Sequence, residues 1–152
     1  MVEPSSFCTM CTHTCYKELI GLLLSLSIHH PGAKFYCMVD TKTKEVIDKM
    51  TLKINLNIIF NVCLDKYTGL NRQIMEQMNI WSEFQMKKAD TINLALINEC
   101  DTLFLDTDIL ILDKLNDIDN TKEIGLSPHY IRKSDTDKFG YYNGGGMWGK
   151  KK

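Results

Sequence analysis

The chain predicts an α/β fold built on a mostly parallel sheet, and three observations carry that expectation. Short apolar runs rich in β-branched and aromatic residues alternate with longer segments of helical periodicity along most of its length. Breakers and caps such as Pro31-Gly32 mark the changes of period. Helices rather than tight turns lie between the strands, the connection that parallel strands joined by right-handed crossovers require. At 152 residues, positions 1–152 read as a single domain with a reasonable core.

Taken in order, Phe7 to Thr12 reads as a strand and Tyr16 to His30 as a helix with Leu19, Leu22, Leu23 and Leu26 on one stripe. Pro31-Gly32 stops that helix. Lys34 to Val39 is a second strand, ending at Asp40; Thr43 to Met50 is a short helix and Leu56 to Val62 a third strand. Ser82-x-x-Gln85 has the form of a capping box opening a long helix to about Asn98, with Ala89, Ile92 and Leu96 facing inward. A strand then runs into Asp106, and Ile124 to Ser127 and Tyr141 to Trp148 are further short strands. In such a Rossmann-like sheet with flanking helices, the C-terminal ends of strands and the N-terminal ends of the following helices share one edge. Thr12 to Tyr16, Asp40, the opening of the Ser82 helix and Asp106/Asp108 are expected there, where open α/β sheets bind ligands.

A net charge of −1 argues against nucleic acid or an anionic membrane as partner. The longest apolar run, Leu19 to Leu26, is too short to span a bilayer, and Glu3 stands where a signal peptide carries basic residues. No Asn-x-Ser/Thr acceptor occurs. Of the six cysteines, Cys8, Cys37, Cys63 and Cys100 lie in or beside apolar segments and read as small hydrophobes. Cys8-x-x-Cys11-x-x-x-Cys15 with His13 lacks the second Cys/His pair of a structural zinc site. Reduced thiols, and hence a cytoplasmic location, are the expectation.

The most informative stretch is Thr102 to Leu112, where an apolar strand runs into Asp106-Thr107-Asp108. Two hard carboxylates on one loop at a sheet edge suit a divalent cation that keeps its other positions for phosphate and water. Asp117/Asp119 and Asp135/Asp137 repeat the spacing without a preceding apolar strand and read as solvated loop acids. Lys87 and Lys88 open the long helix; Lys88, nearer the inward stripe, is the better placed to reach a phosphate held by the two aspartates. Asn143-Gly144-Gly145-Gly146 lets backbone pass close to a ligand, or turns a hairpin. Arg72, in the Asn71-Arg72 loop, reads as an ordinary surface base, with a second phosphate ligand as the alternative, and His29 and His30 suit a helix C-terminus.

Thr12, Tyr16, the leucine stripe, Lys88, Phe104 to Asp108 and Asn143 to Trp148 follow one another in an order that resembles the glycogenin-like, family 8 type of nucleotide-sugar glycosyltransferase, of GT-A fold. The resemblance implies a nucleoside held by Met10, Cys11, Thr12 and Tyr16, with the Tyr16 ring on the base. It implies Mn2+ (or Mg2+) on Asp106 and Asp108, with Thr107 beside the donor, Lys88 acting with the two aspartates on the leaving diphosphate, and Asn143, Gly144 and Gly145 at the donor sugar. A retaining hexosyltransferase follows, moving sugar from a uridine diphosphate donor to a carbohydrate or protein hydroxyl. The family's C-terminal segment, with a metal-binding histidine and the acceptor site, has no counterpart after Trp148, so poor transfer is expected. Two other classes stay open: a non-catalytic nucleotide-sugar-binding domain, and a haloacid dehalogenase type phosphatase, in which Asp-x-Asp opens the fold rather than following two-thirds of it.

Overall fold

The computed structural model describes residues 2–128 and 133–152. Strand β1 (Phe7–Cys11) is buried at every position, and helix α1 (Tyr16–His29), strand β2 (Lys34–Val39), helix α2 (Thr41–Asp48) and strand β3 (Asn57–Val62) follow. Helices α3 (Arg72–Gln77) and α4 (Trp81–Asn98) lead to β4 (Asp101–Leu105), then β5 (Ile124–Pro128), α5 (Lys133–Phe139) and β6 (Tyr142–Lys150). The six strands form one sheet in the order β3-β2-β1-β4-β6-β5. The first four are parallel, while β6 runs antiparallel to both β4 and β5. The fold is the mostly parallel α/β sheet with flanking helices that the alternating pattern predicts.

Alternation along the strands divides the core between two faces. Phe7, Cys11, Phe35, Cys37, Val39, Leu103, Leu105 and Trp148 pack on the α1 side. Cys8, Met10, Tyr36, Met38 and Phe104 pack on the side of α3 and α4. The leucine stripe is as read: Leu19, Leu22, Leu23 and Leu26 are fully buried, each gaining about 1.5–3 kcal/mol over exposure. β5 is the outer strand, which is why Pro128 can end it without costing a ladder bond.

Several expectations are corrected. The capping box at Ser82 does not form: α4 begins at Trp81 behind Ile80, with no side-chain cap. The cause is the preceding helix α3, capped by Asn71, which ends in a turn with Asn79 at φ 57 and Ile80 N–H bonded back to the Met75 carbonyl at 2.9 Å. Ala89 is exposed, and the sheet-facing register of α4 runs through Lys88, Thr91 and Ala95, with Ile92 and Leu96 only partly covered. Cys63 and Cys100 are exposed because they sit one residue outside β3 and β4. Asp135 and Asp137 belong to α5, not to a loop. His30 does close α1 as its C-cap, and it is also buried: Nδ1 lies 2.7 Å from Glu3, and Nε2 accepts the Leu115 N–H at 2.9 Å.

Candidate functional site

β4 ends where its apolar run ends. Thr9 Oγ1 donates to the Leu105 carbonyl at 2.6 Å, and Ile109 N–H turns back onto the Asp106 carbonyl at 3.2 Å. Asp106-Thr107-Asp108 thus forms a tight turn at the C-terminal edge of the sheet. The antiparallel course of β6 brings the start of that strand to the same edge. Leu105 pairs with Gly146, and Asp106 N–H donates to the Gly145 carbonyl at 2.8 Å. This direction is what joins two segments nearly forty residues apart in the chain.

Gly145 N–H is bound by Asn143 Oδ1 at 2.9 Å. A Cβ at Gly145 would lie 3.3 Å from both Asn143 Oδ1 and Asp106 Oδ2, tighter than such contacts normally run. Absence of a side chain there allows the amide and the carboxylate to converge.

Lys88 reaches the same carboxylate from α4. Its Nζ lies 2.8 Å from Asp106 Oδ1 and donates to the Gly144 carbonyl at 3.1 Å, over the Phe104 ring at 5.4 Å from the centroid. Its side chain is only 16% exposed, against 37% for Asp106. Lys87 turns away to Asp90 at 3.1 Å.

A cleft of about 600 Å3 opens between the starts of α1 and α4. Met10, Cys11 and Thr12 line it from the end of β1, Lys88 from α4, and Asp106, Thr107 and Asp108 from the turn. Asn143 and Gly145 line instead a second cleft of about 1150 Å3, which also includes Asp106 and Asp108 and has Leu105, Ile111 and Trp148 in its wall. The two carboxylates are therefore common to both clefts. Tyr16 lines neither; its ring is stacked on His13, with centroids 4.8 Å apart and planes 14° apart.

Sequence reasoning named Arg72 as an alternative phosphate ligand but not the rest of the far wall of the smaller cleft, where Leu70, Asn71, Met75, Trp81 and Phe84 stand beside it. The Asn71 cap, whose Oδ1 accepts Ile74 N–H at 2.9 Å, and the i,i+4 pair of Arg72 with Glu76 at 2.7 Å were the available signals for α3. Arg72 lies 5.2 Å over the Trp81 ring and lines the cleft from its rim, its side chain 67% exposed.

Asp40, fully buried, ties this edge together. Its carboxylate caps α2 through Thr43 N–H at 3.0 Å, accepts His13 N–H at 3.1 Å from the loop after β1, and accepts the Thr68 hydroxyl at 2.6 Å. Burial works to raise its pKa, but the hydrogen bonds from Thr43, Thr68 and His13 outweigh it and hold the group below the ordinary carboxylate value.

The cysteine cluster is divided by the sheet. Cys8 packs on the α4 face and Cys11 on the α1 face, as residues three apart on a strand must, so these two thiols cannot share an ion. Burial pushes the Cys8 thiol up to about 12 and raises Cys11 and Cys37 as well, keeping all three protonated.

No family model and no curated protein matches the sequence. Solved structures do match its fold. An active-site mutant of LgtC aligns over 95% of this chain with a TM-score of 0.62 and 16% identity. Mouse xyloside xylosyltransferase 1 in its apo form aligns over 95% with a TM-score of 0.63 and 12% identity. The apo-form glycosyltransferase GlyE of Streptococcus pneumoniae aligns over 97% with a TM-score of 0.57 and 12% identity. The chain spans 57%, 66% and 34% of those three chains, less than two thirds of each. At this identity the likeness is one of fold, and that fold is the GT-A arrangement. Among the described residues, no helix is long and apolar enough to cross a membrane.

Proposed function

We propose that this chain is the donor-binding part of a metal-dependent glycosyltransferase that moves a sugar from a nucleoside diphosphate to an acceptor hydroxyl. The observation that carries this reading is the position of Asp106 and Asp108, on a strand-end turn common to two clefts, with a lysine ammonium on one of them. The smaller cleft, between the loop after β1 and α4, suits the nucleoside; the larger, with Asn143 and Gly145 beside the carboxylates, suits the sugar and the approaching acceptor. The likeness of fold to a xylosyltransferase and to the glycosyltransferase GlyE supports the same class.

The carboxylate pair suits a divalent cation through its chemistry, two hard oxygen donors on one strand-end turn that opens to both clefts, with Lys88 Nζ standing against Asp106 until an ion arrives. Asp106 and Asp108 would hold Mn2+ or Mg2+, which supplies charge stabilisation to the departing diphosphate. Lys88 adds its own charge to the leaving oxygen, and the glycine-rich start of β6 lets the donor sugar lie against the backbone. In the exchange, the bond from the anomeric carbon to the diphosphate oxygen breaks with its electron pair leaving on that oxygen. A bond from the acceptor oxygen to the same carbon forms, and the acceptor's proton is taken up by the departing oxygen, the retaining course. The donor is read as a uridine diphosphate sugar and the enzyme as a hexosyltransferase.

Thermal-shift titration with nucleotide sugars, with and without Mn2+, tests this. A ligand bound only by the native state raises stability by about 2.7 kcal/mol at a hundredfold excess over Kd. Uridine diphosphate sugars with Mn2+ are expected to stabilise the protein, Asp108→Ala to lose the effect, and Asp137→Ala, on α5 and outside both clefts, to keep it. A protein stabilised by no nucleotide sugar, with or without the ion, would overturn the reading.

A further inference from the structure

The Asp106 carboxylate is already paired before any divalent ion arrives. Lys88 Nζ sits 2.8 Å from Oδ1, is anchored by the Gly144 carbonyl at 3.1 Å, and lies over the Phe104 ring, on a side chain only 16% exposed. Oδ2, on the other side, faces Gly145 closely enough that a Cβ there would stand 3.3 Å away. The carboxylate is therefore held between an ammonium and a glycine backbone, with little room to turn away from the lysine. Asp108 is exposed and makes no ion pair among the described residues. Lys87, its neighbour in the chain, is engaged with Asp90 at 3.1 Å instead.

Charge then dictates an order of events. Two carboxylates and one ammonium leave a single net negative charge at the turn. A divalent ion added alone turns that into a net positive charge beside a shielded ammonium, which is unfavourable. A diphosphate entering with the ion restores the negative charge and offers Lys88 new oxygens in exchange for Asp106.

We propose that Lys88 is the resident counter-cation of Asp106, so that the divalent ion and the diphosphate enter the site together, with Lys88 passing from the carboxylate to the phosphate as they do. This rests on the donor-site reading given above. It assigns Lys88 a second task besides stabilising the leaving group: it keeps the metal-binding carboxylate from taking a divalent ion without its nucleotide.

Mn2+ titration of the nucleotide-free protein, read by loss of the free-ion paramagnetic resonance signal, isolates the claim from turnover. The native chain is expected to bind Mn2+ weakly, and Lys88→Met about tenfold more tightly, since a unit charge facing the ion has been removed. Lys88→Arg, which keeps the charge, is expected to remain weak, and Lys88→Gln repeats the neutral test should the methionine variant fold poorly. Equal or weaker Mn2+ binding by the neutral variants overturns the proposal, whatever the nucleotide does. In a second arm, uridine diphosphate should tighten Mn2+ binding to the native chain, and Mn2+ should tighten uridine diphosphate by the same factor. That mutual gain should shrink in the neutral variants. Tighter Mn2+ binding by Lys88→Met with no response to uridine diphosphate in any variant would support the resident cation and sink the donor-site reading; mutual tightening that is undiminished in Lys88→Met would overturn the transfer of Lys88 to the phosphate.

Discussion

Asp106 N–H donates to the Gly145 carbonyl at 2.8 Å, and an added Cβ on Gly145 would meet Asp106 Oδ2 at 3.3 Å, so the same glycine positions both backbone and carboxylate of the aspartate. Its neighbour Gly144 is looser: a Cβ there would meet only Lys88 Nζ, at an ordinary 3.7 Å. The two glycines are adjacent in sequence and unequal in consequence.

Gly145→Ala is accordingly expected to weaken Mn2+-dependent binding of a uridine diphosphate sugar by about 1–3 kcal/mol, the usual scale of overpacking, as Asn143 or Asp106 shifts to make room. Gly144→Ala should bind nearly as the native chain does. Calorimetric titration of both variants checks this; equal losses would mean that the glycines act through general chain freedom and not through the space beside Asp106.

Asp40 makes the acid limb of stability readable. Its folded pKa is depressed, so its contribution is fully present above the unfolded value near 4 and disappears as pH falls through the lower folded value. Urea unfolding of the native chain and Asp40→Asn is expected to show the native chain more stable at pH 7, with the gap narrowing below about pH 4. Asp40→Ala should cost more: about 1 kcal/mol for the lost cap, and more for the stranded donors at His13 and Thr68. A gap between native and Asp40→Asn that is constant from pH 7 to pH 3 would remove Asp40 from the acid response.

Much of the fold was legible because burial and hydrophobicity coincide in β1, α1 and β2. The stripe Leu19, Leu22, Leu23 and Leu26 has no polar competitor at its positions, and Lys34–Val39 is bounded by a glycine turn and by Asp40. Where a buried residue is charged, that coincidence fails. The inward register of α4 contains Lys88, whose ammonium lies over the Phe104 ring and pairs with Asp106, so an apolar count drew the stripe through exposed Ala89 instead. Strand direction is also absent from periodicity: the pattern of Tyr142–Lys150 is the same in either sense, yet only the antiparallel sense brings Asn143 and Gly145 to Asp106. Of the candidate site, the carboxylates, Lys88 and the end of β1 were readable, whereas the wall from α3 was not, because its six-residue helix is too short to show a period.

The thiols provide a test of burial independent of any ligand. A thiol reagent on the native protein should modify Cys63 and Cys100 first, since both are exposed. Cys8, Cys11 and Cys37 should react only after unfolding, because they are buried and burial holds their thiols protonated. Mass spectrometry of the modified peptides reads the order. Rapid labelling of Cys8 in the native state would mean that β1 is not the interior strand described here.

Base recognition divides two aromatic residues. Tyr16 is the residue that the family resemblance places on the base, but its ring is stacked on His13 and lines neither cleft. Trp81 lines the nucleoside-sized cleft, with Arg72 over its ring at 5.2 Å, a face that receives a planar group. Stacking of a nucleic base on an aromatic side chain is typically worth about 1–3 kcal/mol by alanine substitution. Trp81→Ala is therefore expected to lose about that much uridine diphosphate affinity, and Tyr16→Ala less. Fluorescence supplies a second readout, because the chain has two tryptophans and the other, Trp148, is buried on the opposite face of the sheet. Saturating uridine diphosphate with Mn2+ should quench the native protein and leave Trp81→Phe nearly unresponsive. A larger affinity loss from Tyr16→Ala than from Trp81→Ala would show instead that Tyr16 leaves His13 on binding and takes the base itself.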